Sequence, residues 1–401
     1  MFGQLEYTSN KLSAFFQGSL SNQSFQRIDH FLLPGTLAVT TNPDSAMKTK
    51  TGFNNLIGFN VKTGANYNIN ENHNVFANVG YYERQPFFDA VYPNNRNYLN
   101  PNLTNEKIFG TEVGYSFRSN NFNANLNLYR TYWGNRVISN RNTFSLYNYN
   151  VAPDAQGNYP VLTDASGKTQ TIQGTASIFG VTQVHKGIEV DMEYKVSKLI
   201  SLVGMFSAGN WQYKRNVSAS YFDDSNSPIL GANNKAVDQI TLYLDNVKVG
   251  NSAQLTTSLG LAIRPVEDLS LNADWRYVDN LYADINPSNF TVANHKGSLK
   301  LPSYNLMDLG LSYKLKLNNR NAFTFRGNVY NVFDTTYIAE ARTNNHTKTV
   351  ADFKDNTTTG VTAQQQYDAY LKNNTYKGLD TSNEVFFGFG RTWSASVSFT
   401  F

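Results

Sequence analysis

Apolar and polar residues alternate one for one through most of this chain. That two-residue period restricts the fold more than any other feature, because only an extended strand sends successive side chains to opposite faces. Between residues 184 and 196, Val184, Ile188, Val190, Met192, Tyr194 and Val196 share one face, while His185, Gly187, Glu189, Asp191, Glu193 and Lys195 share the other. From 307 to 317, Met307, Leu309, Leu311, Tyr313, Leu315 and Leu317 alternate with Asp308, Gly310, Ser312, Lys314 and Lys316. The same reading applies to residues 57–69, with Ile57, Phe59, Val61, Ala65, Tyr67 and Ile69 set against glycine, asparagine and lysine. Counted this way the chain holds about thirteen strands, many near the 9 to 11 residues that a tilted strand uses to cross a bilayer. Helical periodicity is hardly visible, and no apolar run approaches the roughly 18 residues of a membrane-spanning helix.

The connections between strands alternate strictly between two kinds. Short polar tips at 9–11, 70–73, 119–121, 197–198, 264–268 and 318–321 have the composition of tight hairpins. Long segments at 32–52, 88–104, 137–183, 215–249, 286–300 and 341–383 separate them. In an up-and-down meander every second connection lies on the same rim, so one rim carries tight turns and the other carries large loops. The loops are rich in Tyr, Asn, Ser, Thr and Gly, as in the run from Asn142 through Tyr147 and Tyr149 to Asn150, a composition of adaptable recognition surfaces.

Periodicity alone leaves open whether the apolar face looks inward to a core or outward to lipid. A soluble β-sandwich, a β-helix and a solenoid are the alternatives. Thirteen or more strands make a barrel too wide for side chains to fill, which requires a wet interior and an apolar exterior. Charged residues are 16% of the chain, against roughly 25% in soluble domains, while Tyr 25 and Phe 27 raise the aromatic share to 14%. Aromatics near strand ends, Tyr81, Tyr82, Trp133, Tyr213, Trp275, Tyr277, Tyr282 and Tyr313, fit interfacial girdles. No fixed repeat is present, which removes solenoids and propellers. The expected fold is therefore all-β: a transmembrane antiparallel up-and-down β-barrel with lipid outside and water inside.

The absence of cysteine excludes disulfides, thiolate metal sites and cysteine nucleophiles. The net charge of +4 is spread without a basic block, so nucleic acid is not an expected partner. His30, His73, His185, His295 and His346 lie far apart, without metal-ligand or triad spacing. Glu189, Asp191 and Glu193 share a strand face and read as charges on a wet wall rather than as a general acid and base. Gly388-Phe389-Gly390 opens no helix and reads as relief of crowding where the last strand leaves a loop, not as a phosphate cradle. No catalytic residue, metal ligand or cofactor is expected.

The last residues, Trp393-Ser394-Ala395-Ser396-Val397-Ser398-Phe399-Thr400-Phe401, alternate strictly and stop on an aromatic. This resembles the terminal strand of bacterial outer-membrane proteins, with Trp393, Val397, Phe399 and Phe401 as the insertion signal read by the barrel-assembly machinery. The run Asn328-Val329-Tyr330-Asn331-Val332-Phe333-Asp334-Thr335-Thr336-Tyr337 resembles the closing hairpin of TonB-dependent receptors. The segments Glu83 to Val91 and Asn105 to Tyr115 look like barrel segments of such receptors from the Bacteroidetes lineage. Members of that family have a 22-stranded barrel plugged by an N-terminal domain. The resemblance therefore implies that residues 1–401 are the C-terminal part of one barrel domain, about 13 of 22 strands. The plug, the first strands, the signal peptide and the motif for the inner-membrane energy-coupling complex would lie upstream of Met1. Either a truncated gene product or a piece of a longer chain is the expectation, with open strand edges at Phe2 to Thr8 and at the C-terminal strand.

The function implied is energy-coupled uptake of a nutrient, such as a siderophore, glycan or peptide, across the Gram-negative outer membrane. Outer-membrane lipid, the coupling complex and a surface lipoprotein are the implied partners. A passive porin and a β-rich surface adhesion protein are the competing readings. Arg84, Arg96, Arg136 and Arg342, with Tyr147 and Tyr149, are the candidate substrate-binding residues, because rim guanidiniums can hold an anionic ligand and solvated rim charge is the plainer alternative.

Overall fold

Thirteen antiparallel strands follow one another in a single meander. The computed structural model describes residues 1–30, 50–92, 97, 99–100, 103–145, 151–152, 160–223, 240–318 and 320–401. The wall runs through β1 (Phe2–Ser9), β2 (Leu12–Phe25), β3 (Asn54–Asn68), β4 (His73–Arg84), β5 (Glu106–Arg118), β6 (Phe122–Ser145), β7 (Thr171–Lys195) and β8 (Ile200–Lys214). Two short strands then leave the path, β9 (Val217–Asp223) and β10 (Ile240–Leu242), with β9 pairing along the upper part of β7. The wall resumes with β11 (Leu255–Val266), β12 (Leu269–Asp279), β13 (Tyr304–Lys316) and β14 (Ala322–Tyr330). An excursion follows that holds β15 (Ile338–Ala341), a helix Ala363–Asn374, β16 (Thr375–Tyr376), β17 (Leu379–Asp380) and β18 (Val385–Phe387). The last wall strand is β19 (Thr392–Thr400), paired with β14. β1 and β19 stand at the two ends of the path, each paired along one side. Among the described residues no helix is long and apolar enough to cross a membrane.

The tight turns form because short polar side chains accept the backbone donors that a ladder cannot reach. Asn70 Oδ1 accepts from the N–H groups of Asn72 and His73, both at 2.9 Å. Asn318 Oδ1 does the same for Arg320 and Asn321, and Ser119 Oγ for Phe122. One tip is shorter than its sequence implies. The segment 264–268 reads as a turn, yet β11 continues to Val266 through a register irregularity after Ile263, leaving Glu267 and Asp268 as the tip. Arg264 and Pro265 mark that irregularity rather than the turn itself.

A larger correction concerns 137–183, expected as a long loop. β6 and β7 stay paired far above the rest of the wall, from Phe122↔Tyr194 up to Ser145↔Thr171, across register shifts beside Arg136. Alternation fades there because the ribbon has left the part of the sheet where one face must be apolar, and backbone pairing needs no such pattern. Arg96, Tyr147 and Tyr149 lie outside the described residues.

Register shows which side chains share a face. In the β6/β7 pair Leu126 stands opposite Val190 and Leu128 opposite Ile188, while Asn127 faces Glu189 and Thr131 faces His185. In β13, Leu309, Leu311, Tyr313 and Leu315 are each 40% to 45% exposed although they are the apolar row. Row after row of large apolar side chains is exposed in the same manner, from Leu5 and Tyr7 in β1 to Val397 and Phe399 in β19. The apolar face is thus an outer surface, and polar residues line the other. Three of the girdle aromatics do not belong to that outer face: Tyr82 and Trp133 fall in the polar rows, and Tyr213 is buried in a loop core. Their positions near strand ends match a girdle, but their parity does not.

Buried apolar clusters do exist, and they lie on the long-loop side. Ile178, Val181, Tyr213 and Val217 from strand tops pack with Leu242, Leu244, Val247, Ile285 and Phe290. A second cluster joins Leu281, Ala283, Leu299, Leu301, Ile338, Ala341 and Leu379. Each fully buried side chain of this kind contributes about 1.5–3 kcal/mol, so these loops are held by cores of their own. Asn344, also buried, ties the second cluster together by accepting from Leu299 N at 2.9 Å and donating to the Asp284 carbonyl.

The run from Asn331 to Tyr337 gathers both ends of the excursion before β19. Asn331 and Asp334 adopt φ of 50° and 54°, a region that Asn and Asp tolerate better than other side chains. The Asn331 amide donates to the carbonyls of Thr335 (2.9 Å) and Phe389 (3.3 Å), and Asp334 Oδ1 accepts from Arg391 N at 2.7 Å. Gly388 passes beneath the Tyr337 ring, where any Cβ would collide with it, so crowding relief is the use of that glycine.

The facing yields a test. Val190→Arg or Leu311→Arg in the full-length protein lowers stability in phospholipid vesicles by roughly 2 to 4 kcal/mol for a mid-bilayer site, whereas Ser312→Arg costs under about 1 kcal/mol. Equilibrium unfolding from the vesicles reads the difference, and equal losses on the two faces would refute the facing.

Candidate functional site

On the polar face of β4, β6 and β8 the rows that begin with asparagine and serine end, toward the long-loop side, in large aromatics. β6 runs Asn123, Asn125, Asn127, Tyr129, Thr131, Trp133 along this face, and β8 ends in Gly209 and Trp211. Two glycines allow these rings to lie flat on the sheet. A Cβ at Gly187 would meet the Tyr129 hydroxyl at 2.6 Å, and one at Gly209 would meet Trp211 Nε1 at 2.6 Å. The Trp211 indole N–H donates to the Tyr129 hydroxyl at 2.9 Å, and His185 stacks on Trp211 with ring centroids 5.3 Å apart. The result is an aromatic floor in a recess of about 510 Å³, bordered by Lys62, Asn78, Tyr82, Glu112, Glu189 and Trp133.

Trp133 is the centre of the upper margin. Its indole N–H donates to Glu106 Oε2 at 2.9 Å, and that carboxylate pairs with Arg84 Nε at 3.2 Å. The Arg84 guanidinium lies 5.2 Å from the Trp133 ring centroid and 4.4 Å from that of Phe87. Arg136 lies 4.3 Å from the same Trp133 ring and donates to Gln183 Oε1 at 2.6 Å. His185 Nε2 is 3.1 Å from the same amide oxygen. Gln183 is fully buried and stands opposite Tyr213 in the β7/β8 ladder, so the loop core above borders the amide that positions Arg136 and His185. Glu106 neutralises Arg84, while Arg136 donates to a neutral amide, lies over a ring and interacts electrostatically with the Asp284 carboxylate.

This arrangement brings together two of the arginines singled out from the sequence, Arg84 and Arg136, against a single indole. Arg342 is not part of it: it pairs with Glu384 at 3.4 Å and covers Phe386, on the β15/β18 ribbon. Glu189 accepts from Asn127 at 3.4 Å, and Glu112 from Asn78 at 3.2 Å, so the carboxylates of the recess are tied to amides on their own wall. Among the described residues no group of three or more His, Cys, Asp or Glu side chains is placed to hold a metal ion. At the other end of the chain Trp393, Val397 and Phe399 share the outward row of β19, Phe399 packs against Phe323 with ring centroids 4.8 Å apart, and Phe401 lies beyond the strand.

Glu106, Tyr129, Gln183, His185 and Trp211 complete the network and are absent from the set of residues picked out by sequence. The signal that exposes Tyr129, Trp133 and Trp211 is an aromatic standing in the polar row of an alternating strand. Gln183 and Glu106 carry no such signal, because polar residues are ordinary on that face.

A family model described as "TonB dependent receptor-like, beta-barrel" matches residues 2–332. No curated protein matches the chain by sequence. Among solved structures the chain is similar to a copper transporter, OprC, with a TM-score of 0.56 and 14% identity, covering 100% of this chain and 47% of that one. It is also similar to the ferric-catecholate import receptor Fiu from E. coli K12 in its closed form, with a TM-score of 0.50 and 15% identity, covering 98% of this chain and 42% of that one. The chain spans less than half the length of either. At such identities the likeness is one of fold.

The network predicts a coupled loss. Glu106→Ala removes the partner of both Arg84 and the Trp133 indole and lowers the stability of the full-length protein by about 1–3 kcal/mol, while Glu106→Gln, which keeps an acceptor, costs less. Denaturant midpoints measure both, and identical losses would mean that the carboxylate charge has no part in the network.

Proposed function

The chain belongs to the TonB-dependent receptor family of Gram-negative outer-membrane β-barrels, and from that premise we propose that it is the C-terminal barrel segment of an energy-coupled nutrient importer. In this reading the polar face of the wall lines the lumen, and the long loops form the outer mouth. A plug domain, the first barrel strands and the motif for the inner-membrane coupling complex belong to an upstream segment. The receptor acts by binding and gating, with no catalytic step assigned to this chain. The barrel-assembly machinery reads β19 through Trp393, Val397, Phe399 and Phe401, and a surface lipoprotein partners the loops. The Bacteroidetes lineage is proposed from the likeness of residues 83–91 and 105–115 alone.

The observation that carries the reading is the aromatic recess at the top of the polar face. Two indoles, two phenols and an imidazole gathered in one recess of the wall give a receptor a surface that holds a ligand out of water. Trp133 and Arg136 anchor the substrate, Arg84 supports them, and Tyr147, Tyr149, Arg96 and Arg342 contribute from the rim. Copper and a ferric catecholate, the ligands of the two similar solved structures, are the first substrates to try.

Transport in cells tests this. In a strain lacking the receptor and complemented with the full-length gene, a protonophore abolishes uptake of the nutrient whose requirement the deletion reveals; uptake that continues at its full rate identifies a passive pore instead. Trp133→Ala combined with Arg136→Ala weakens ligand binding by about tenfold or more, equivalent to about 1.4 kcal/mol, at unchanged surface abundance. Unchanged affinity in that double variant removes the recess from the binding site.

A further inference from the structure

The aromatic recess does not end at its lower border. Lys62 and Asn78, which edge it, also edge a second recess of about 460 Å³ on the polar face of β1 to β4, so the two open into each other. The second recess repeats the construction of the first. A Cβ at Gly64 would meet Phe15 Cε1 at 2.7 Å, and one at Gly114 would collide with the Phe76 ring, so two half-buried phenyl rings lie flat on this part of the wall. Between the rings of the two recesses the register sets Gly80 opposite Gly110, where no side chain rises from the backbone.

Register also sets the height of each recess on the wall. Phe15, Gly64, Asn78, Glu112 and Tyr129 stand in one row of the ladder. Tyr129 is seven residues along β6 from its tight-turn end at Phe122, whereas Phe15 is three residues from the tight-turn end of β2 at Leu12, and Phe76 three from that of β4 at His73. The row therefore descends toward the tight rim, the periplasmic one in barrels of this class, and the second recess lies below the first. Its charge is a cation: Lys62 Nζ lies 5.6 Å from the Phe15 ring centroid. Among the described residues no carboxylate pairs with that ammonium, and Glu6, on the far side of the recess, is bonded by Gln4 instead. Exposed ring faces take a stacked ring, and a lysine offers a point charge to an anion.

We propose that this lower recess is a second ligand subsite that takes planar aromatic anions, the ring lying on Phe15 and Phe76 and the negative group reaching Lys62. Material released from the recess of Trp133 and Trp211 passes down the glycine-floored row to this subsite before it leaves at the tight rim. The inference rests on the importer reading of the same wall and extends it from capture to transit.

Full-length receptor in lipid nanodiscs, titrated with para-fluorobenzoate and followed by fluorine NMR, tests it. The parent protein shows two saturable components. Phe15→Ala combined with Phe76→Ala removes one and leaves the other, Lys62→Gln weakens that same one about tenfold, and Trp133→Ala combined with Arg136→Ala removes the other alone. The amine para-fluorobenzylamine, the same ring with a cation, does not compete for the lower component. A single component that only the Trp133 and Arg136 changes remove, or no saturable binding at all, overturns the lower subsite and leaves its rings to the upstream plug. Competition by the amine as strong as by the carboxylate overturns the assignment of an anion. The importer reading fails separately, on uptake that survives the protonophore. Should the double alanine variant fail to assemble, Phe15→Leu combined with Phe76→Leu keeps most of the bulk without the ring faces and is read in the same way.

Discussion

Hydrocarbon offers no partner to a backbone N–H or carbonyl, so a chain that crosses a membrane as strands must complete its ladder from one strand to the next. The meander from β1 to β14 and on to β19 obeys this with direct antiparallel neighbours at every step. The interruptions by β9, β10 and β15 to β18 all occur on the long-loop side, where water is available and the backbone is free to leave the sheet. The tight rim has no such freedom, which is why its turns are closed by Asn70, Ser119 and Asn318 accepting from the next few N–H groups.

A ladder of this kind leaves side chains one choice, the face, and the solvent on each side makes it. Leu309, Leu311 and Tyr313 face outward because lipid is there, and Asp308, Gly310 and Ser312 face the wet side. The wall therefore has no core between its faces. The buried apolar clusters are displaced into the loops, around Phe290 and Leu242 in one case and Leu301 and Ala341 in the other. This displacement has a consequence for the site. Tyr213 belongs to the first cluster and stands opposite Gln183 in the β7/β8 ladder, and Gln183 holds Arg136 and approaches His185. Rigidity in the loops is thereby passed to the mouth of the lumen.

The strand count, the short and long rims and the outward identity of the apolar rows were legible in sequence, since each follows from a period of two and from turn residues at the tips. The height of the β6/β7 ribbon was not, because paired backbone above the membrane carries no alternation to read. Nor was the inward parity of Tyr82 and Trp133. Proximity to a strand end placed them in a girdle, although counting from Asn74 or Asn123 puts both in the polar row. Arg84 and Arg136 were visible as charges on the rim, yet nothing in the chain order connects them. Their meeting at Trp133 depends on the β4 to β7 register, in which Glu106 faces Arg84 and Trp133 faces both Ile108 and Gln183.

The same register accounts for the glycines of the polar face. A glycine within a strand gives up roughly 0.5–1 kcal/mol relative to alanine, a loss with no return unless something uses the space. At Gly187 and Gly209 the space is taken by Tyr129 and Trp211, whose rings lie against the sheet and bond each other. A ring flattened in this way presents its face, not its edge, to the lumen, and a face accepts either a stacked ring or a cation. Glycine next to an aromatic in a polar row is thus a pattern that converts a wet wall into a binding surface, and here it occurs where the loop core holds the strands most firmly.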